Sequence, residues 1–450
     1  MTGNILSTPL PGPRAQEDDL ARAARHAEGH PSVSPDDIAV GVIIGRTSEY
    51  FDFFTYGIAS VIVFPHVFFP FADPMTGTLY AFALFALAFI ARPFGTTLFM
   101  QVQKNWGRGA KLTAALFLLG TATAGIAFLP THDTLGGHAI LLLAVFRCLQ
   151  GVAWGGSWDG LPSLLALNTP AHRRGWYAML GQLSAPIGFF VAAALFLFLY
   201  TRLDAADFID WGWRFPFFVA LAINVVALFA RLRLVMDNDF SRLLEERELT
   251  PIGTLDMIRT QSRHIATGAF AALASYALFH LVTLFPLSWL VLEHQQTVVQ
   301  VLSIQLVGAG IALIAMLYSS RLANRIGRRH TLGLVAVLIG IFALASPWLL
   351  GGGLASQHAF ILIGFALMGL SYGQSSGTAT AHFPARYRYT GAALTSDLAW
   401  LIGAAFAPLV ALGVSDRYGL SGICLYLLSG ALCTLVALAV NRSARRRHAA

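Results

Sequence analysis

The chain has 450 residues, of which 56 % are hydrophobic and only 12 % charged, and its formal net charge is +7. So much apolar surface excludes an ordinary water-soluble domain. The positive charge alone would suit a nucleic-acid partner, but its placement argues against one, because basic residues crowd into every second gap between long apolar runs.

Residues 1–37 come first, polar and without an apolar core. They read as a disordered cytoplasmic tail rather than a signal peptide. Ser34-Pro35-Asp36-Asp37 is a helix-start signal, with acidic groups at the positive end of the helix it opens. Beyond it, a lipid core of about 30 Å takes about 20 apolar helical residues to cross. Stretches near 38–63, 77–99, 111–129, 139–165, 175–200 and 215–235 meet that length, and so do 264–291, 298–318, 331–350, 358–378, 390–412 and 421–440. Inside lipid only helices or closed barrels satisfy every backbone N–H and C=O. These runs are too long for barrel strands, so the expectation is an all-α membrane protein with twelve transmembrane helices, spans 1 to 12. Residues 236–263 form a polar central loop, with 239–249 expected as a short amphipathic surface helix. The loop separates a six-helix bundle at 38–235 from a second at 264–440, and a basic tail follows at 441–450.

Of the 30 Lys and Arg, 21 fall in the even gaps, the central loop and the C-terminal tail, whereas Arg202, Arg214 and Arg417 occupy the odd gaps. Basic loops stay in the cytoplasm, so both termini are expected there. Cys148, Cys424 and Cys433 all fall within spans. They offer no disulfide frame and no CxxC metal pair, and neither metal nor cofactor is expected.

The halves share local text. Trp106-Gly107-Arg108 follows span 2 and Ile326-Gly327-Arg328 follows span 8. Pro170-Ala171-His172-Arg173-Arg174-Gly175 follows span 4, and Pro384-Ala385-Arg386-Tyr387-Arg388-Tyr389-Thr390-Gly391 follows span 10. Two echoes at matching places point to a duplicated six-helix unit, an arrangement that places a site between the repeats.

Longer strings carry a resemblance. Span 1 holds Glu49-Tyr50-Phe51-Asp52-Phe53-Phe54-Thr55-Tyr56-Gly57, and span 2 runs into Arg92-Pro93-Phe94-Gly95. Span 4 holds Gln150-Gly151 and Gly155-Gly156, and Asp210-Trp211-Gly212-Trp213-Arg214-Phe215-Pro216 enters span 6. With Phe383-Pro384 through Gly391 before span 11, the chain resembles the metabolite:proton symporters of the major facilitator superfamily. The resemblance covers about residues 40–440. It implies two six-helix bundles in a bacterial inner membrane, alternating access, a small-molecule substrate with protons, and gating by Arg92, Lys104, Arg108, Asn324, Arg325 and Arg328. There are departures. Lys104 stands where the superfamily usually carries Asp, Met100 where it usually has Gly, and Asn324 at the acidic place of the second copy. Ser157 replaces a usual Glu, with Asp159 two residues on, and Asp397 stands where relatives often have Asn or Gln.

A charged side chain at mid-membrane costs at least ~2.5–3.5 kcal/mol, so each is a site candidate. Arg46, Glu49 and Asp52 follow one another at i, i+3 and i+6 in span 1. Either Arg46 and Glu49 pair merely to permit insertion, or Glu49 or Asp52 carries the coupled proton. Burial favours a protonated carboxyl and a nearby guanidinium favours the ionised one, so a carboxyl set between the two can load and release a proton. Arg147 in span 4 is either a hub for backbone carbonyls or an anchor that grips a substrate carboxylate with its planar fork. Asp159 lies about 18 Å further along that helix and is a candidate for coupling near Arg92. Asp397 is a further coupling candidate. Tyr56, Gln150, Trp154, Gln182, Tyr276, His280, Tyr372 and Gln374 are candidates for the substrate pocket, although packing and interhelical hydrogen bonds explain each one alone.

The expected function is proton-coupled uptake of a small polar, carboxylate-bearing metabolite by a monomeric carrier, with proton-driven efflux as the alternative. No HExxH, phosphate loop or GxSxG elbow suggests an enzyme.

Overall fold

A computed structural model describes residues 35–157, 174–235, 251–376, 383 and 387–449. Among these residues the regular structure is helical throughout. Ten helices are long and apolar enough to cross a membrane. One of them, Pro74–Ala127, contains spans 2 and 3 in a 54-residue run that turns at Gly107. Span 1 (Pro35–Ile62) completes the twelve, carrying Arg46, Glu49 and Asp52 in one run. Large apolar side chains cover the outside, among them Phe94, Phe117 and Trp348, each more than two-thirds exposed. Such a surface belongs in lipid, where it loses nothing by facing hydrocarbon.

The two halves repeat their packing. Spans 2 and 3 pack on span 4 (Gly137–Ser157), as span 8 (Val298–Ile326) packs on span 10 (Leu354–Tyr372). Between the halves, span 2 meets span 11 and span 5 meets span 8. The sequence echo has a backbone cause. Gly107 (φ +82°) and Gly327 (φ +85°) both sit in the left-handed half of conformational space at the turn between paired spans, which an L side chain enters at a cost of about 1–3 kcal/mol. No atom lies within 4 Å of the place a Cβ would occupy at Gly107 or at the helical Gly310. We therefore expect Gly107→Ala to lower the thermal midpoint of the detergent-purified protein by backbone strain, and Gly310→Ala to leave it unchanged. Equal midpoints would remove the strain argument.

Span 4 lies backbone to backbone on span 2. A Cβ on Gly151 would stand 2.1 Å from the Ala88 carbonyl oxygen, and one on Gly155 2.4 Å from that of Arg92. Small residues allow this approach in lipid, and it sets Arg92 beside span 4. Gly151→Val should overpack the crossing, cost about 1–3 kcal/mol or more, and cut the yield of monodisperse protein on size exclusion. A wild-type yield would show that the crossing can relax.

Among the described residues three spans are interrupted. Span 5 consists of Arg174–Leu180 and Ser184–Arg202, joined by a turn that holds Gln182. Span 7 is broken at Ala272 and Leu284 into Thr254–Ala271, Leu273–Thr283 and Phe285–Leu292, with Pro286 opening the last piece. Its first helix begins inside the stretch read as central loop, because those turns are polar and hydropathy does not register them. Span 11 runs as Arg388–Trp400, a π-helical turn Leu401–Ala405, and Ala407–Tyr418. The surface helix expected at 239–249 and the last part of predicted span 4 lie outside the described residues.

Candidate functional site

The two bundles leave between them a cavity of about 40 Å³, room for about two or three waters. Span 1 contributes Arg46, Glu49, Tyr50 and Phe53 to its wall; span 2 adds Phe89 and Arg92, span 4 Trp154, and span 11 Trp400. Spacing explains the span 1 set: residues 46, 49, 50 and 53 fall on one helical face. The wall rings Phe53 and Phe89, with Phe85 from the same bundle and Phe279 from the other, pack around the imidazole of His280.

Among the described residues two ion pairs stand at the cavity. Arg92 Nε lies 2.8 Å from Asp397 Oδ1, joining span 2 to span 11 across the seam, with both side chains nearly buried. Thr96 Oγ1 donates to Asp397 Oδ2 at 2.5 Å, and the Arg92 guanidinium lies 5.9 Å from the centre of the Trp400 ring. Within span 1, Arg46 Nη1 and Glu49 Oε2 stand 3.8 Å apart. A hydrogen-bonded pair is closer than that.

A third charged group lies deeper in the first bundle. Asp52 is fully buried and accepts from Thr123 Oγ1 at 2.7 Å and from Gln150 Nε2 at 3.3 Å. Gln150 Oε1 in turn accepts from Arg147 Nη1 at 3.0 Å. The amide of Gln150 thus stands between cation and carboxylate. Arg147 also donates from Nε to the Phe85 carbonyl at 3.3 Å, and its guanidinium lies over the rings of Tyr56 (3.9 Å), Phe85 (4.8 Å) and Trp154 (4.9 Å). Three aromatic faces and two acceptors compensate a guanidinium that has left water.

The seam is bridged at both ends. At the end bearing Gly107, Lys111 Nζ donates to Tyr389 Oη at 2.9 Å and Tyr389 donates to Gln103 Oε1 at 2.8 Å. Asn324 Oδ1 accepts from the Gly175 N–H at 3.0 Å, and Gln374 Nε2 donates to the Gly175 carbonyl at 3.3 Å. Toward the other end, the Leu284 side chain lies against Gly57.

The predicted residues divide accordingly. Glu49, Arg92 and Trp154 line the cavity. Asp397 stands behind Arg92 as its partner, so the carboxyl that looks isolated in span 11 is ion-paired. Asp52, Arg147, Gln150 and Tyr56 form the inner network, screened by Phe53 and Trp154. His280 is fully buried, and neither ring nitrogen has a hydrogen-bond partner among the described residues. Tyr372 shares a hydrogen bond with Tyr50 across the seam and packs edge-on to Tyr276, 5.6 Å between ring centres. Gln182 lies in the turn of span 5, away from the cavity wall. Gln374 and Asn324 belong to the bridge at Gly175. Arg108 is buried, Lys104 and Arg325 are exposed, and Arg328 is half-buried at the start of span 9. Asp159 lies outside the described residues, so the partner that Arg92 displays is Asp397.

Sequence reasoning missed Thr96 and Thr123, which hold the two buried carboxylates, and the ring wall of Tyr50, Phe53, Phe89 and Trp400. Thr96 and Thr123 carried a signal, as hydroxyls inside apolar spans. The rings carried none, since aromatic residues serve equally well against lipid.

Comparison with known proteins agrees with this architecture. The family model of the Major Facilitator Superfamily matches residues 42–408. An inner membrane metabolite transport protein of Escherichia coli (strain K12) is 36 % identical over 428 residues, 93 % of this chain and 96 % of that protein. A shikimate transporter of the same organism is 27 % identical, covering 91 % of this chain and 94 % of its own. A citrate-proton symporter of Klebsiella pneumoniae is 26 % identical, over 88 % and 90 %. The crystal structure of a D-xylose-proton symporter superposes with a TM-score of 0.67 at 16 % identity, covering 88 % of this chain and 96 % of that one, a likeness of fold. With twelve spans in two matched bundles and a family match over most of its length, this chain belongs to the major facilitator superfamily and is a membrane transporter, not an enzyme.

Proposed function

We propose that the protein imports a small carboxylate-bearing metabolite together with protons, by rocking its two bundles about the central cavity. The observation that carries this reading is the set of three guanidinium and three carboxyl groups in and behind the cavity wall, of which the Arg92–Asp397 pair spans the seam. Charges are kept inside a membrane where they serve an ion or substrate path. A pair that joins two moving bodies has two arrangements, and a proton or substrate that competes for one partner biases them. The names of two relatives, a citrate-proton symporter and a shikimate transporter, support protons and acids as cargo. The basic end, which carries Arg325, Arg328 and Lys104, faces the cytoplasm in this reading, with both termini. We further propose a monomeric carrier in a bacterial inner membrane, with Glu49, Asp52 and Asp397 as the coupling carboxyls.

Uptake of radiolabelled organic acids by cells expressing the protein, with and without a protonophore, is the test. Import driven by the proton gradient should fall by at least about tenfold when the gradient is collapsed. If protonophore instead raised the internal level, the carrier would be an exporter.

A further inference from the structure

We infer that Arg147, Tyr56, Trp154 and His280 form the seat for the carboxylate group of a small monoanion, set just inside the cavity wall. This rests on the carboxylate reading above and names the groups that hold that carboxylate. Each of the four side chains is more than nine-tenths buried. Arg147 gives Nε to the Phe85 carbonyl and Nη1 to Gln150, but Nη2 has no hydrogen-bond partner among the described residues. The same holds for Tyr56 Oη, Trp154 Nε1 and both ring nitrogens of His280. A buried donor without a partner has given up water for nothing, and native folds keep few such groups. Several on neighbouring side chains point to a partner that arrives with the substrate.

The four groups are neighbours. The Arg147 guanidinium lies 3.9 Å from the centre of the Tyr56 ring and 4.9 Å from that of Trp154. It also lies 4.8 Å from the Phe85 ring, whose centre is 5.3 Å from that of His280. Phe53 stacks on His280 at 5.3 Å and stands 5.4 Å from Trp154. Phe53 and Trp154 are both wall residues of the cavity, so a guest enters from the cavity as the Phe53 ring turns aside.

The chemistry of the set selects the guest. Arg and Trp side chains only donate, and a Tyr hydroxyl and one nitrogen of a neutral imidazole can donate too. Donors gathered around a fixed positive charge repel an ammonium ion and suit an anion. Among the described residues no carboxylate pairs directly with Arg147, because Gln150 stands between it and Asp52. One guanidinium balances one negative charge, and the two oxygens of a carboxylate accept about four hydrogen bonds. The rings of Phe53 and Phe89 in the cavity wall then flank an apolar body. His280 lies on span 7, whereas Tyr56 and Arg147 lie on spans 1 and 4. A carboxylate held by all of them joins the two bundles, so its binding favours the arrangement in which they meet.

The test uses the detergent-purified full chain with benzoate as probe, and binding is read by isothermal titration calorimetry. Wild type should bind benzoate. Tyr56→Phe and His280→Leu should each weaken binding by about tenfold, one charge-assisted hydrogen bond or its equivalent. Arg147→Lys should weaken it by at least about tenfold, since the ammonium lacks the planar fork. Without benzoate, Tyr56→Phe should melt no lower than wild type, because the hydroxyl it removes has no partner to lose. Position is read by NMR of the protein labelled with 15N at its indole nitrogens. The Trp154 signal, assigned by its loss in Trp154→Phe, should move when benzoate is added. Absence of benzoate binding by wild type, wild-type affinity in Tyr56→Phe, or an unmoved Trp154 signal would each overturn the seat. A lower melting temperature of Tyr56→Phe without ligand would also overturn it, by showing that the hydroxyl serves the fold. Those results would leave carboxylate import standing on another cation, whereas failure of expressing cells to take up organic acids would remove the wider reading.

Discussion

Arg92→Ala should abolish transport and lower stability by about 3–5 kcal/mol, the cost of leaving a buried carboxylate without its cation. Asp397 is nearly buried, its nearest cation is Arg92 at 2.8 Å, and the Thr96 hydroxyl cannot replace that charge. Removing both charges should be milder. In Arg92→Gln/Asp397→Asn no ion is stranded, so the melting temperature should recover most of the loss while transport stays absent. Thermal unfolding in detergent and uptake into liposomes read the two effects separately. Transport recovered in the neutral double variant would show that the pair holds the bundles together without serving the cycle.

Arg147→Lys should reduce transport by at least about tenfold although it keeps the charge. The ammonium cannot lie flat against Tyr56, Phe85 and Trp154 while also meeting Gln150 and the Phe85 carbonyl. Gln150 then loses the donor that fixes its amide, and with it the orientation of the group that donates to Asp52. A structural role alone would lower stability and leave the pH profile of uptake unchanged; a role in setting Asp52 should shift that profile. An unaltered profile at reduced stability would return Arg147 to scaffolding.

Much of the architecture was legible because lipid imposes it. Backbone groups in hydrocarbon must bond within their own helix, so apolar run length marked the spans, and the echo around Gly107 and Gly327 marked the repeat. Where a span opens with polar turns, as at Thr254, hydropathy is silent about the helix. The site was legible only residue by residue. Glu49, Asp52, Arg147 and Asp397 stand out because charge is rare in such a chain. Their pairing does not: Arg92 and Asp397 lie on different bundles, and only the fold brings them together. The inner network reads more easily, since Arg147 and Gln150 are one helical turn apart, yet nothing local joins them to Asp52. Phe53, Phe89 and Trp400 carry no mark, because a ring facing a cavity and one facing lipid look alike in sequence.

Alternating movement of the two bundles is open to a single direct measurement. Thr97 of span 2 and Thr254 of span 7 meet across the seam, hydroxyl oxygens 3.4 Å apart. In a chain whose Cys148, Cys424 and Cys433 are replaced by serine, Thr97→Cys/Thr254→Cys should cross-link on mild oxidation. Uptake into liposomes should then stop and return on reduction with dithiothreitol. Transport at the unbridged rate by the fully cross-linked protein would contradict rocking of one bundle against the other.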